Sequence, residues 1–508
     1  MIRARSRTAR SELSGEVLHT YARRAALLAH ALERPLPVAD LDSREKLSRA
    51  VDEIVDVGDR SQVWLALAVL SGRLPLPTTV TETARTAEFR SGALFDAVVD
   101  QTTPASARWD VVLESARVTL DVAHTASTTL MTGIQRVVRE TARRWLATHD
   151  AVATSWTEEL DAMRFLTPVE HDRLLKAAAA DEDGRAPRNP SVIIPWRTTI
   201  VVPELATNFE RTGRLQALAQ YSQCTMSSVA YDLIPITSGE TTSPGMSDEF
   251  ARNLAAIRFA DRVAPISAAA AVEYEGWRMM LAATGVLGPT IEAVNLPVEA
   301  ADSSPAELDE ARLRFTVGTL PLVLVVGSHE PRKNHLAVLH AAELLWRDGL
   351  RFGLTFVGGN SWNSQGFDQR LHELQSAGRP VEAASKVTDA ELWAAYRLSR
   401  FTVFPSLNEG FGLPVAESLA VGTPAITSDF GSMAEIASEG GAIMIDPHDD
   451  RAISRAMRTL LENDEAHQAL VSAALARPVR TWDDYASELW DFLVEGNRPG
   501  DREGSNGR

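Results

Sequence analysis

Apolar residues along this chain follow two rhythms. As far as about Thr103 they recur at helical spacing. Residues Glu16 to Leu32 carry an apolar stripe with Arg23, Arg24 and Glu33 on other faces, which predicts an amphipathic helix. A second helix starts near Arg44, capped by Asp42 or Ser43, and Leu74 to Pro77 interrupts the helical pattern that follows. From about Arg108 short β-rich runs alternate with helical ones. Arg117–Val122, Thr198–Pro203 and Ser227–Tyr231 read as strands, and Ile134–Leu146 as a helix. Residues 301–305 read as a linker. A second series then begins with the strand Leu322–Gly327 and the helix His335–Trp346. Further strands follow at Phe352–Val357 and near Val381, Phe401, Ala425 and Ala442. Such βα alternation predicts parallel sheets wrapped by helices, with ligands at the carboxyl ends of the strands.

The chain has 508 residues, too many for one core, so several domains are expected. The boundaries read from the pattern are a helical extension over 1–107, a first Rossmann-like half over 108–300 and a second over 301–478. An amphipathic helix over 479–494 is a candidate to cross back to the first half, and 495–508 reads as a disordered tail. The formal charge of -17 argues against nucleic acid as a partner. One cysteine, Cys224, rules out an intrachain disulfide and suits a reducing compartment. No apolar run approaches the roughly 20 residues of a membrane helix. His30, Glu33 and Arg34 cut short the apolar run after Arg23-Arg24, so no export signal is read there. The expected location is cytoplasmic.

The richest stretch is Glu409-Gly-Phe-Gly-Leu-Pro-Val-Ala-Glu417, between the apolar strand Phe401–Pro405 and an apolar helix. Leu413-Pro414 reads as a helix start, because proline loses nothing at the first helical position. That turn aims free N–H groups and the positive helix end at an anion such as a diphosphate. Carboxylates on either side can accept hydrogen bonds from hydroxyls, which suits a sugar and a ribose. The run resembles the paired-glutamate motif of family 4 of the retaining glycosyltransferases. Gly422–Ser428 and Glu435-Ile436 fit the same pattern, and Glu330-Pro-Arg-Lys-Asn334 resembles that family's Glu-Pro-Arg-Lys-Asn signature.

The resemblance covers roughly Arg117 to Phe492 and not the first hundred residues. It implies an α/β GT-B fold, two Rossmann-like domains facing a cleft. It also implies that Arg332 and Lys333 neutralise a leaving nucleoside diphosphate, that Glu409 orients sugar hydroxyls and that Glu417 takes the ribose. Donor contacts are expected from Gly133, Gly358, Lys386, Val387, Phe411, Gly412 and Leu413. Asn334 reads as the N-cap of the helix after the signature. Where some relatives carry an arginine after the strand glycine, this chain has Ser328.

Other positions stay open. Tyr231-Asp232-Leu-Ile-Pro235 resembles a His-Asp-Leu-Ile-Pro run with tyrosine in place of histidine. Asp232 either binds sugar or acceptor hydroxyls or caps its turn. Arg136 faces either ligand or solvent. Trp362 either covers the site or packs under a loop. Thr388 either caps a helix or marks the strand end that meets the base. Asp181-Glu182-Asp183 reads as a solvated loop, and no His/Cys cluster offers a metal site.

The expected activity is retaining transfer of a hexose or deoxyhexose from a nucleotide sugar to a saccharide or lipid-linked acceptor, without metal or cofactor. The alternatives are another GT-B sugar-nucleotide enzyme and a non-catalytic partner-binding subunit. Arg3, Arg5, Arg7, Arg10, Arg23 and Arg24 make the start of the chain locally basic. Residues 1–100 therefore either pack within the protein, pair with another protein or rest on the inner face of a membrane.

Overall fold

The computed structural model describes residues 14–37, 40–176 and 190–496. The arginine arm before Ser14, the acidic run 181–183 and residues 497–508 lie outside the described residues. Contacts divide the chain into two units. The first comprises 1–228, 252–263 and 284–290; the second comprises 229–251, 264–283 and 291–508. Segments 229–251 and 264–283, read from the sequence as part of the first Rossmann-like half, thus count with the second unit by their contacts. Among the described residues no helix is long and apolar enough to cross a membrane.

The second unit holds a six-stranded sheet in the order Val381–Ala384, Gly353–Val357, Leu322–Val326, Phe401–Phe404, Ala425–Ser428, Ala442–Ile445. Every pairing is parallel, as expected. Leu322–Val326 is apolar throughout because both of its faces are covered. Val323 and Val325 pack with Phe356, Phe401 and Val403 against the helices His335–Arg347 and Asp450–Glu462. Leu322 and Leu324 pack on the other side with Phe315, Trp393 and Tyr396. Gly358 has a packing reason of its own. A Cβ there would lie 2.0 Å from the carbonyl oxygen of Gly327, so only glycine lets the two strand ends run together.

In the first unit five helices, Gly15–Ala31, Arg44–Ile54, Arg60–Ser71, Pro77–Ala87 and Ala93–Gln101, precede a nine-stranded sheet. Ser43 caps the second of them, accepting from the Lys46 amide. Arg24 corrects the expectation for the first helix. It is 1 % exposed and donates to the carbonyls of Leu70, Ser106 and Trp109, so it belongs to the core and not to an exposed basic face. The sheet is mostly parallel but not wholly so. Met163–Phe165 runs antiparallel to both of its neighbours, Ala151–Trp156 and Ser191–Pro195.

Gly358→Ala is expected to cost about 3 kcal/mol or more in urea unfolding, because its Cβ would press on backbone with nowhere to move. Gly359→Ala, with no atom within 4 Å of its Cβ position, should be near neutral and serves as the control.

Candidate active site

The strand Leu322–Val326 runs into Gly327 and Ser328, and then a single 3₁₀ turn, Pro331–Lys333, precedes the helix His335–Arg347. Asn334 adopts a left-handed backbone, φ 57°, and its side chain does not cap that helix; it donates instead to the Pro447 carbonyl at 2.8 Å. Asparagine tolerates this conformation better than most residues, so its place is set by the turn rather than by capping. The turn presents Arg332 and Lys333 toward the end of Phe401–Phe404.

There the two cations meet one carboxylate. Lys333 Nζ lies 2.5 Å from Glu409 Oε1, and an Arg332 guanidinium nitrogen lies 2.8 Å from Oε2. Ser406 Oγ donates to Oε1 at 2.6 Å. Arg332 also donates to the Asn408 carbonyl and pairs with Glu330. Burial pushes the Glu409 carboxyl upward, but Lys333 and Arg332 outweigh it and hold it down at about 2. The loop carrying Glu409 is tied to its surroundings. The Leu407 amide donates to the Arg332 carbonyl at 2.9 Å, and the Ser432 hydroxyl to the Glu409 carbonyl at 2.8 Å.

Gly410 and Gly412 lead into the helix Leu413–Ala420, with Gly412 at φ 106° and Pro414 in the first turn. Phe411 packs on the core cluster of Phe404, Val415 and Met433. Glu417 is buried on the next turn and accepts from Tyr396 Oη at 3.0 Å. The sequence reading named Glu409 and Glu417 but not Tyr396, which the fold sets against Glu417. Only the apolar run of its helix hinted that this tyrosine would be inside.

Asp232 joins this group. A Cβ on Gly410 would sit 3.0 Å from its Oδ2, while its Oδ1 accepts from the Ile234 amide at 3.2 Å. Asp232 thus stiffens its turn and also faces the site. Burial raises its carboxyl to about 6, Arg332 opposing and Glu409 and Glu273 reinforcing the rise. Tyr231 is 5 % exposed, and its ring is part of the core. Ser267, buried at the start of the helix Ala268–Ala282, donates to the Gly410 carbonyl at 2.6 Å. Glu435 accepts from the first amides of that helix, Ala268 and Ala269, and from Asn295. Neither contact was legible from spacing, because each joins segments far apart in the chain.

The remaining sequence candidates sit elsewhere. Lys386 is exposed with φ 55°, just beyond Val381–Ala384, and Val387 packs partly on Trp393 and its neighbours. Thr388 does form a capping box with Glu391. Gly133 and Arg136 belong to the first unit, at the start of the helix Gly133–Thr148. That unit has its own hollow of about 430 Å³ beside the ends of three strands, lined in part by His124, Trp156, Arg164 and Arg211. Arg164 pairs there with Glu170, and Arg211 with Asp121 and Glu204. Among the described residues no group of three or more His, Cys, Asp or Glu could hold a metal ion.

Solved structures share this organisation. The sucrose-phosphate synthase of Thermosynechococcus elongatus superposes with a TM-score of 0.53 at 16% identity, covering 74% of this chain and 98% of its own. The Anabaena protein HepE, solved with UDP and glucose, gives 0.54 at 13% identity over 74% of this chain and 99% of its own. The fold is that of the GT-B glycosyltransferases. Residues 312–477, which carry Glu330, Arg332, Lys333, Ser406, Glu409, Glu417 and Ser432, match the family of glycosyl transferases group 1. Among curated relatives, the serotype-specific mannosyltransferase WbdA of Escherichia coli is 26% identical over 345 residues, 66% of this chain and 41% of its own length. The D-inositol 3-phosphate glycosyltransferase of Acidothermus cellulolyticus is 33% identical over 200 residues, 37% of this chain and 43% of its own. The chain spans about two fifths of the length of the first of these relatives. Its resemblance to the family-4 glycosyltransferases holds.

The Asp232 carboxyl gives a signed pH effect. Its folded value of about 6 lies above the ordinary 3.8, so the folded state binds the extra proton between those limits. Stability from this group therefore falls as pH rises from about 4 to about 6. Asp232→Asn is expected to melt higher than the parent at pH 7.5, with the difference vanishing near pH 4, as followed by scanning calorimetry.

Proposed function

We propose that the chain is a retaining, metal-independent glycosyltransferase acting in the cytoplasm. It moves a hexose or deoxyhexose from a nucleoside diphosphate sugar to a saccharide or lipid-linked acceptor, in surface polysaccharide or glycoconjugate synthesis. Mannose is the first sugar to try, since WbdA and the O-antigen chain mannosyltransferase B of E. coli are mannosyltransferases by name. The observation that carries the reading is the meeting of Lys333 and Arg332 at Glu409, beside the start of the helix Leu413–Ala420.

In the reaction the bond from the anomeric carbon to the phosphate oxygen breaks, and its electron pair leaves with the diphosphate. Lys333, Arg332 and the amides at the helix start stabilise that charge. Glu409, kept ionised by the same cations, accepts from hydroxyls of the donor sugar. Glu417 takes the ribose. Lys386 and Val387 lie at the strand end assigned to the base. The acceptor oxygen attacks on the face the phosphate leaves, and its proton passes to a phosphate oxygen, which preserves the anomeric configuration. Asp232 is the candidate in the second unit to contact the acceptor or the transferred sugar, while the buried ring of Tyr231 supports it from the core.

Nucleoside diphosphate release from GDP-, UDP- and dTDP-sugars, measured in EDTA, tests this. The full chain should turn over. Lys333→Ala should lower the rate by about 10²-fold, as loss of an electrostatic donor to a leaving group does, and should also lower the melting temperature because it strips buried Glu409 of one cation, so rates are compared where the variant is fully folded. Turnover that needs Mg²⁺ or Mn²⁺ would exclude the metal-free mechanism, and no release from any donor would favour a non-catalytic role.

The two glutamates should separate kinetically. Glu409→Gln should depress kcat more than donor affinity, because its contacts strengthen as the sugar becomes cationic. Glu417→Gln should mainly raise the donor KM. The opposite split would exchange their roles.

A further inference from the structure

A hollow in the second unit, of about 530 Å³, lies between the loop around Gly239–Ser247 and the loop Trp362–Gln365. Both loops leave from the neighbourhood of the site. The first follows Asp232 by way of the short helix Ile234–Thr237. The second follows Gly359, whose carbonyl accepts from the His329 amide at 3.0 Å. The chemistry of the walls is unlike that of the Glu409 cluster. Trp362 supplies a half-buried aromatic face. Ser243, Ser247, Asn363 and Gln365 supply hydroxyls and amides, and Glu240 the single charge. Among the described residues no lysine or arginine lines the hollow.

The loop bearing Trp362 is held in place. Asn360 Oδ1 lies 3.0 Å from His329 Nδ1, and its amide nitrogen and the Ser364 hydroxyl both donate to Asp368. Beneath it the His329 ring lies tilted against Phe367, with ring centres 4.4 Å apart. Trp362 makes no ring contact with that aromatic cluster among the described residues, and it lines the hollow. The side chains of Glu240, Asn363 and Gln365 make no hydrogen bond or ion pair among the described residues. An unpaired charge and two unpaired amides around an indole on a tied-down loop are poor material for a packed interface and good material for a polyol.

We infer that this hollow is a saccharide subsite. It holds a neutral sugar residue of the acceptor chain, stacked on Trp362, away from the transferring end. Resting on the proposed function, the inference deepens it: the acceptor is an oligosaccharide long enough to reach from Asp232 to Trp362, not a single sugar. The absence of cations in the walls excludes the diphosphate of the donor from this place, because the one charge present, on Glu240, would repel it. Stacking of a sugar face on indole gives shape selection, and the amides and hydroxyls reach ring hydroxyls at the rim.

The test is direct binding of neutral α-linked mannan, glucan and galactan oligosaccharides of one to six residues to the full chain, by saturation-transfer NMR and calorimetry. Affinity should rise with length and level off once the hollow is filled. Trp362→Ala should weaken the best binder about tenfold, Gln365→Ala by a smaller factor, and Trp362→Tyr should recover most of the loss. In turnover assays Trp362→Ala should raise KM for the long acceptor more than it lowers kcat. The inference falls if no oligosaccharide in the panel binds. It also falls if Trp362→Ala and Gln365→Ala, with unchanged melting curves, bind as the parent does, or if a phosphorylated oligosaccharide binds better than its neutral counterpart. Binding of UDP, GDP and dTDP is followed separately by thermal shift. Oligosaccharide binding without nucleotide binding would leave the subsite standing and remove the donor reading.

Discussion

One buried carboxylate governs the second unit's chemistry. Glu409 draws Lys333 and Arg332 from one loop onto another, and neither cation could stay so far from water without it. Removing one partner of such a group typically costs about 3–5 kcal/mol, since the charge left behind has no compensation. The pairing also explains the loop geometry. The left-handed backbone at Asn334, the Leu407 amide on the Arg332 carbonyl and the Ser432 hydroxyl on the Glu409 carbonyl all serve to keep the two loops in register. A site built this way is rigid before a ligand arrives, so little ordering remains to be done on binding.

The cost of that arrangement is a crowd of acids. Asp232 and Glu409 approach the same guanidinium, and the environment resolves the conflict by making them unequal. Glu409 stays ionised to about 2, whereas Asp232 gains its proton near 6. One carboxylate is then a permanent acceptor, and the other changes between donor and acceptor close to physiological pH.

Much of this was legible in the sequence, and the failures have physical causes. The strands of the second sheet were readable because burial on both faces makes them continuous apolar runs, as at Leu322–Val326. The paired glutamates and the Arg332-Lys333 turn were readable because they sit at fixed offsets from strand ends. What spacing cannot carry is contact between distant segments. Ser267 on the Gly410 carbonyl, Glu435 on the amides of Ala268 and Ala269, and Tyr396 on Glu417 each join pieces that only the fold brings together. Asn334 stands at the N-cap position as read, but its side chain goes to the Pro447 carbonyl, because the same residue suits a cap and a left-handed turn. Gly358 reads equally as a ligand-approach glycine and as a packing glycine, and the Gly327 carbonyl behind it gives the second reading a definite cause. The antiparallel strand Met163–Phe165 is three residues long, too short to announce its direction.

Arg24 reaches from the first helix to the end of the third and to the turn just before the first strand. Its guanidinium serves carbonyls at Leu70, at Ser106 and at Trp109, the last just ahead of the strand Asp110–Glu114. Those carbonyls lie far from water, and Arg24 is the donor that each of them meets. The early helices and the first strand therefore cannot open one at a time without stranding a buried charge or a buried acceptor. The opening of this region is all-or-none, and its amide hydrogens should exchange with solvent as one block. The segment that looked like an appendage is, in cooperative terms, the foundation on which the first sheet is laid.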